Sequence, residues 1–232
     1  MTGAGGDESC TLRCVSEAFR IKVCGITSED AARAAVEAGA DHLGIVLCAS
    51  VRQVSPERAE ELTRRVPAAW VGVFADASLE EMSDLVCRLD LTALQLHGRE
   101  TPDICRAVRD STGLPVWKAI GPTLRGRSAG YRKVADALLL DAGKGGSGKT
   151  LDWEAVGAEF PRSRRRIPLL VAGGLDAHNV ALAIRSADPD GVDASSRLER
   201  APGVKDPDRV RAFVLRARAA AETLRRATGA AR

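Results

Sequence analysis

Residues 21–47 read IKVCGITSEDAARAAVEAGADHLGIVL, and this stretch contains one complete strand–helix–strand unit. The apolar runs Ile21–Cys24 and His42–Leu47 are short, as buried strands are. Between them, Ser28–Ala38 has a helical period, begins after a Thr or Ser cap and ends at Gly39. The unit therefore predicts two parallel strands joined by a helix.

The same alternation continues along the chain. Short runs rich in Val, Ile and Leu occur at Ile21–Cys24, His42–Leu47, Trp70–Phe74, Ala93–Leu96, Val116–Ile120, Ala137–Leu140, Leu169–Ala172 and Gly191–Ala194. Segments of helical pattern lie between and after them, at Ser28–Ala38, Ser55–Val66, Ser78–Leu89, Glu100–Ser111, Ala129–Val134, Asp152–Glu159, Asp176–Ala187 and Asp206–Ala227. Near-continuous apolar strands alternating with helices are typical of a parallel sheet that is buried on both faces.

Eight such units predict an α/β fold, a single-domain (β/α)8 TIM barrel over residues 20–232, preceded by a disordered leader over residues 1–19. The length of 232 residues suits one barrel of this kind. The alternative is an open doubly wound sheet, which usually carries a GxGxxG fingerprint after its first strand. The residues Cys24–Thr27 do not contain that fingerprint.

Composition argues against several classes of partner. The net charge of +3 is too small to indicate a nucleic-acid partner. One dense basic cluster has no interleaved aromatic residues and is predicted to be a solvated loop or helix end; it consists of Arg162, Arg164, Arg165 and Arg166. No apolar run approaches the ~18 residues of a membrane span. The N-terminus lacks the features of a secretory signal, so a cytoplasmic location is expected.

Two further patterns are interpreted without a cofactor. The six cysteines form no CxxC pair, and no His/Asp/Glu cluster has metal-ligand spacing, so free thiols and no metal are predicted. Residues Gly143–Thr150 have the spacing of a nucleotide phosphate loop, but they follow the predicted sixth strand and precede only a short helix. A mobile lid beside Asp141 is the favoured interpretation.

The carboxyl ends of barrel strands carry the candidate active site. Cys24 and Asp141 follow strands one and six, whose ends face each other across the mouth. A thiolate and a carboxylic acid in that arrangement form a general base and a general acid. The base requires a lowered thiol pKa. A buried inert thiol and a loop-capping carboxylate are the alternative interpretation.

Other polar residues lie at the same strand ends. Gly173 and Gly174, before a predicted helix at Asp176, and Ser195 and Ser196, after the eighth strand, are predicted to hold a phosphate with backbone N–H groups, although a Gly-Gly pair also simply makes a tight turn. Arg52 is a candidate for forked binding of a carboxylate or an exposed arginine. His97, with Gln95 beside it, is either a ligand contact or a structural histidine.

As a set, these residues resemble the phosphoribosylanthranilate isomerase family. The matching stretches are Lys22–Thr27, Gly39–Asp41, Val71–Phe74, Gln95–Gly98, Leu139–Ala142, Gly146–Gly148, Asp152–Trp153, Ala172–Leu175, Gly191–Asp193 and Pro202–Asp206. The resemblance covers residues 20–216. It implies an Amadori rearrangement without cofactor or metal, acting on a small phosphoribosyl substrate; we expect a monomer or a weak homodimer.

The resemblance also implies a role for each site residue. Asp141 is the general acid that protonates the furanose ring oxygen, and Cys24 is the general base that removes the C2′ proton. Arg52 recognises the anthranilate carboxylate and Asp193 a sugar hydroxyl, while Gln95 and His97 contact the substrate. The phosphate is held by Gly173, Gly174, Ser195 and Ser196.

Two departures from the family pattern affect expected substrate-binding walls. Arg197 stands where the family usually has Gly, and the segment Cys48–Arg52 replaces a Ser-Pro-Arg loop. An isomerase for a different phosphoribosyl-amine and a non-catalytic sugar-phosphate-binding barrel therefore remain alternatives. A phosphate-barrel epimerase would need a metal or a second acid–base carboxylate, and the sequence offers neither.

Overall fold

The computed structural model describes residues 19–121, 128–142 and 150–229. Its eight main strands are β1 (Arg20–Cys24), β2 (His42–Val46), β3 (Trp70–Phe74), β4 (Leu91–Leu96), β5 (Val116–Ile120), β6 (Ala137–Leu140), β7 (Leu169–Val171) and β8 (Gly191–Ala194). Each strand pairs in parallel with the next, and β8 pairs with β1, so the sheet closes. The predicted (β/α)8 barrel is confirmed.

The helices lie between the strands in the expected order. They are α1 (Glu29–Glu37), α2 (Pro56–Arg65), α3 (Leu79–Arg88), α4 (Pro102–Thr112), α5 (Ser128–Tyr131), α6 (Trp153–Glu159), α7 (Val180–Ala187) and α8 (Pro207–Gly229). Ser28, Ser55 and Ser78 each accept a hydrogen bond from the backbone N–H three residues on. These caps satisfy N–H groups that have no partner inside a helix.

Side-chain alternation along the strands divides the core into two layers. Ile21 and Val23 of β1 belong to the large apolar cluster that joins the strands to the helices. A second cluster fills the barrel interior with Val71, Ala93, Trp117, Ala119, Ala137, Leu139, Leu170 and Ala172. Successive residues of a strand point to opposite faces, so each strand contributes to both layers. Polar residues on the inner face therefore meet at the open end of the barrel.

The structure corrects several predicted boundaries. Phe19, which was assigned to the leader, is buried in the core. Helix α4 begins after Thr101 rather than at Glu100, because Thr101 caps it and Glu100 is buried in a pair with Lys118. Helix α7 begins at Val180 rather than Asp176. Residues 176–179 form a turn because the Asp176 side chain accepts two of its backbone N–H groups.

Some structure was not predicted at all. A two-stranded antiparallel hairpin, β9 (Glu199–Ala201) and β10 (Val204–Lys205), follows the barrel's last strand. In the basic cluster, Arg162, Arg164 and Arg166 are exposed as predicted. The side chain of Arg165 is instead only 7% exposed and pairs with Asp190 at 3.0 Å. Arg165 also donates to the Ala187 carbonyl at the end of α7, which satisfies an acceptor that the helix cannot.

Parts of the earlier predictions lie outside the described residues, namely the leader up to residue 18, with Cys10 and Cys14, and the candidate lid at residues 143–149. Within the described ranges, no helix is long and apolar enough to cross a membrane. The same ranges contain no group of three His, Cys, Asp or Glu side chains able to hold a metal ion.

His42, at the start of β2, predicts a specific pH dependence of stability. Its ring packs edge-on against Trp117 with centroids 4.9 Å apart, and burial lowers its pKa to about 4. Because this folded-state pKa lies below the ordinary value, stability is present above about pH 6.5 and is lost as pH falls towards 4. We expect this residue to remove up to ~3 kcal/mol of the free energy of unfolding across that range.

Urea unfolding at several pH values between about 7 and 4.5 measures this effect. His42→Gln should flatten the dependence, whereas His178→Gln, at an exposed position, should leave it unchanged. An equally steep loss of stability in His42→Gln would show that other groups are responsible.

Candidate active site

A cavity of about 280 Å³ opens at the carboxyl ends of the barrel strands. All ten candidate site residues line it: Cys24, Arg52, Gln95, His97, Asp141, Gly173, Gly174, Asp193, Ser195 and Ser196. Closure of the sheet brings them together from segments that are distant in the chain. The cavity is therefore the place where the predicted chemistry has to occur.

Cys24 lies at one wall of the cavity beside a buried ammonium group. Lys22 precedes it by two residues, so both side chains point into the barrel, and Lys22 is completely buried. A Cβ atom on Gly44 of β2 would lie 2.8 Å from the Cys24 Sγ and 2.9 Å from the Lys22 Nζ. Both groups therefore pack against the bare backbone of Gly44, where a larger residue has no space.

The thiol does not have the lowered pKa that the sequence argument requires. Burial raises the pKa of Cys24, and the ammonium of Lys22 offsets only part of that effect. Lys22 also donates to the Asp193 Oδ2 at 3.0 Å, and Asp193 itself raises the pKa of the thiol. Desolvation thus outweighs a single cation that two acidic groups share.

Asp193 offers one unused acceptor to the cavity. Its Oδ1 is buried and has no hydrogen-bond partner among the described residues. Burial raises the pKa of Asp193, and Lys22 opposes the shift. A buried acceptor without a partner costs free energy. A ligand hydroxyl would satisfy it.

Asp141 lies on another wall, directly after β6. Its Oδ2 lies 3.4 Å from the His97 Nε2, and Gln95 Nε2 lies 3.1 Å from the His97 Nδ1. The His97 ring thus lies between the Gln95 amide and the Asp141 carboxylate. His97, directly after β4, therefore contacts one oxygen of the candidate acid.

Gly173 fits closely against the candidate acid. It has a φ of +87°, and a Cβ there would lie 2.7 Å from the Ala142 backbone nitrogen and 3.1 Å from the Asp141 Oδ1. Only glycine adopts this conformation and this approach without strain. The N–H groups of Gly173, Gly174 and Ser196 donate to no acceptor within the described ranges. These N–H groups are suited to an anion.

The turn at residues 176–179 limits which backbone N–H groups can bind an anion. The N–H groups at the expected helix start are already used: His178 and Asn179 donate to the Asp176 side chain, and Asp176 donates to Asn179. An anion at this cavity would therefore contact the glycine and serine backbone rather than the first turn of α7. Ser195 Oγ is also engaged, since it donates to the Cys24 carbonyl at 2.9 Å.

Arg52 forms a forked pair, but with a residue of the protein. Its Nε and Nη2 donate to the two carboxylate oxygens of Glu199 at 2.6 and 2.9 Å. The sequence argument expected that fork to bind a ligand carboxylate. The protein occupies one edge of the guanidinium, and within the described ranges no acceptor contacts the edge that carries Nη1.

Comparison with known proteins assigns the family. The family model described as N-(5′-phosphoribosyl)anthranilate (PRA) isomerase matches residues 21–216. The chain belongs to this family. The PRA isomerase of Symbiobacterium thermophilum is 43% identical over 224 residues, which cover 87% of this chain and 99% of that protein. That of Paracoccus denitrificans is 42% identical, with 87% and 98% covered.

Solved structures of PRA isomerases share the fold. That from Thermotoga maritima superposes with a TM-score of 0.78 at 37% identity, covering 87% of this chain and 99% of that chain. A PRA isomerase in complex with reduced 1-(o-carboxyphenylamino)-1-deoxyribulose 5-phosphate gives a TM-score of 0.76 at 35% identity, covering 87% and 99%. The resemblance read from the sequence is thus confirmed.

Three charged residues of this PRA isomerase site received no role from the sequence: Lys22, Glu199 and Lys205. Lys22 had a detectable signal, because a lysine two residues before Cys24 in an apolar strand must share its face. Lys205 appeared only as part of a matching motif. No pattern in the sequence pointed to Glu199, because its ion pair with Arg52 joins residues that are 147 positions apart.

Substitution of Arg197, the first departure from the family pattern, is expected to have little effect on substrate binding. Its Nη1 lies 3.1 Å from the Asp176 Oδ2, and it does not line the main cavity. The structure therefore gives no sign that it obstructs a phosphate. We expect Arg197→Gly to change KM for a phosphoribosyl substrate less than ~3-fold, because an exposed ion pair contributes only ~0–1 kcal/mol.

Steady-state kinetics of the two proteins would measure this, with Arg185→Gly, on the far part of α7, as the matched control. A KM change of tenfold or more in Arg197→Gly would mean that its side chain does reach the ligand.

Proposed function

We propose that the chain isomerises N-(5-phosphoribosyl)anthranilate to 1-(2-carboxyphenylamino)-1-deoxyribulose 5-phosphate in tryptophan biosynthesis. The observation that carries the proposal is the single cavity that holds a candidate base, Cys24, and a candidate acid, Asp141, beside unused backbone N–H groups. The reaction is an aldose–ketose isomerisation, and the residues that line the cavity supply an acid, a base and an anion site.

Asp141 performs the first step. Its carboxylic acid gives a proton to the furanose ring oxygen as the C1′–O bond breaks, and the nitrogen lone pair forms the C1′=N bond of a Schiff base. His97 holds one oxygen of Asp141 at 3.4 Å. That contact directs the other oxygen towards Gly173 and the ligand.

Cys24 performs the second step. Its thiolate removes the proton from C2′, the electron pair forms a C1′=C2′ bond, and the nitrogen regains its lone pair. The enolamine then takes a proton at C1′, and the C2′ hydroxyl loses its proton as the C2′=O bond of the ketone forms. Lys22 stabilises the thiolate because its ammonium lies beside the sulfur in a site that excludes water.

The remaining residues bind and orient the substrate. The backbone at Gly173, Gly174, Ser195 and Ser196 receives the phosphate, and Asp193 Oδ1 accepts a hydrogen bond from a sugar hydroxyl. Arg52 faces the aglycone carboxylate, and Gln95 keeps His97 in place. A cytoplasmic location and a monomeric or weakly dimeric state are also part of this proposal.

Turnover of phosphoribosylanthranilate, generated in situ and followed by the loss of its fluorescence, tests the proposal. Robust turnover by the purified chain is the expected result. If the folded protein does not turn over phosphoribosylanthranilate but does turn over another phosphoribosyl-amine, the substrate carries a different aglycone from the one proposed. Binding of sugar phosphates without any turnover would favour a non-catalytic barrel.

A further inference from the structure

Three charged side chains with little exposure form a cluster beside the cavity, which only Arg52 among them lines. Arg52, after β2, makes its forked pair with Glu199 of β9. Lys205 of β10 donates to the same carboxylate at 2.6 Å, and Gly203 N donates to it at 3.3 Å. The side chains of Arg52, Glu199 and Lys205 are only 12%, 5% and 0% exposed. Contacts this short and this buried fix the guanidinium in one orientation.

Glu199 is a carboxylate in this cluster. Burial by itself would raise the pKa of Glu199, but the hydrogen bonds from Arg52 and Lys205 outweigh it and the pKa is lowered. Burial lowers the pKa of Lys205, and Glu199 opposes that shift. With Arg52 and Lys205 as cations and Glu199 as an anion, the cluster has a net charge of +1. Because of this net positive charge, the cluster still attracts an anion after Glu199 has paired with both cations.

The geometry leaves a defined part of Arg52 for that anion. Glu199 occupies the edge formed by Nε and Nη2. The opposite edge, which carries Nη1 and the second hydrogen of Nη2, contacts no acceptor in the part of the chain that the structure describes. Arg52 itself lines the main cavity. Because a guanidinium presents two flat donor edges, fixing one edge also aims the other.

We propose that Glu199 is a positioning residue that aims the open edge of Arg52 at the carboxylate of the substrate's aromatic ring. The inference rests on the proposed function, since it takes the aglycone to be anthranilate. Glu199 acts through Arg52 and does not touch the ligand. It contributes geometry rather than charge, because its own charge is repulsive to a carboxylate.

Charge and geometry predict opposite effects of a Glu199 substitution on the affinity for a carboxylate. Glu199→Gln raises the charge of the cluster from +1 to +2 but removes the charge-assisted fork. If only charge matters, a carboxylate-bearing ligand binds more tightly to the variant. If Glu199 positions Arg52, the ligand binds more weakly, by roughly tenfold, the scale of one hydrogen bond to a charged group.

Calorimetric binding of two stable probes measures the effect without requiring turnover. The probes are reduced 1-(2-carboxyphenylamino)-1-deoxyribulose 5-phosphate and the same compound lacking the carboxylate. The Kd of the compound without the carboxylate, divided by the Kd of the compound with it, isolates the contribution of the carboxylate. We expect a high ratio in the wild type, a ratio near one in Arg52→Ala, and an approximately tenfold reduced ratio in Glu199→Gln. Glu29→Gln, at an exposed ion pair with Arg33, is the matched control with an unchanged ratio.

Each result decides one question. An unchanged or increased ratio in Glu199→Gln, with the wild-type ratio high, overturns the positioning role and leaves the proposed function intact. A wild-type ratio near one contradicts anthranilate as the aglycone, and the inference fails with it. If thermal melting shows that Glu199→Gln does not fold, Glu199→Asp replaces it: the charge is kept, the shorter side chain cannot span both nitrogens, and a reduced ratio is again expected.

Discussion

Asp141→Asn is expected to lower kcat for phosphoribosylanthranilate by ~10²–10⁴-fold, because an amide cannot give a proton to the ring oxygen. The side chain keeps its shape, so the contact with His97 Nε2 and the packing against Gly173 should persist. The measurement is kcat from the fluorescence assay, together with thermal melting to establish that the variant is folded.

Cys24→Ala should produce a loss of the same size, since it removes the group that takes the C2′ proton. Cys24→Ser should not restore activity, because a hydroxyl is a far weaker acid than a thiol and provides no comparable base. Asp84→Asn and Cys87→Ala, both exposed on α3, are the matched controls. Retention of more than about a tenth of the activity in either site variant would contradict its assigned role.

Lys22→Met is the second change with a large expected effect. It removes the cation from a buried pair with Asp193 and leaves a buried carboxylate without its partner. We expect a loss of ~3–5 kcal/mol in the free energy of unfolding, partly relieved when Asp193 takes a proton. Since Lys22 also opposes the burial effect on Cys24, the thiol pKa should rise further and kcat/KM should fall by at least ~10-fold.

The pH profile separates this electrostatic role from a structural one. In the active form, Cys24 and Asp141 together hold one proton, which is on Asp141. Activity therefore falls at high pH, where these two groups lose that proton. Because burial raises the Cys24 pKa above the ordinary value of a thiol, the basic limb of the wild-type profile should lie at alkaline pH, and Lys22→Met should move it still higher. The rate of Cys24 alkylation by iodoacetamide, measured against pH by mass spectrometry, reports the thiol directly.

Lys118→Met is the matched control for the alkylation experiment. Lys118 is another buried lysine that pairs with a carboxylate, Glu100 at 2.7 Å, and it does not line the cavity. It should lose similar stability while the pH dependence of Cys24 alkylation stays the same. A basic limb in Lys22→Met that coincides with the wild type would show that Lys22 only supports the fold.

The strands were predictable because their physical signal is local. A parallel strand buried on both faces must be apolar along its length, so runs such as Trp70–Phe74 and Val116–Ile120 have the bounds that the structure gives them. Helix starts were predictable where a serine caps the next turn, as at Ser55. They failed at Asp176, where the same kind of side chain closes a turn instead of a helix. Local sequence does not distinguish those two uses.

The membership of the site was also determined by the sequence. In a closed barrel, every polar residue directly after a strand must reach the same mouth, so counting strands was sufficient to collect Cys24, Asp141 and the glycines. The partners of those residues were not determined in this way. Arg52 and Glu199 are separated by 147 positions, and only the hairpin after β8 brings them together.

The state of the thiol could not be read from the sequence for a related reason. The sequence specifies that a cysteine stands at a strand end, and that a lysine shares its face. Whether burial or the lysine prevails depends on how far water is excluded and on how Asp193 divides the charge of Lys22. Desolvation and Coulomb interactions depend on distances in three dimensions. The sequence by itself therefore determined the barrel and the set of groups at its mouth, whereas only the tertiary structure decided which of those groups are paired, aimed and charged.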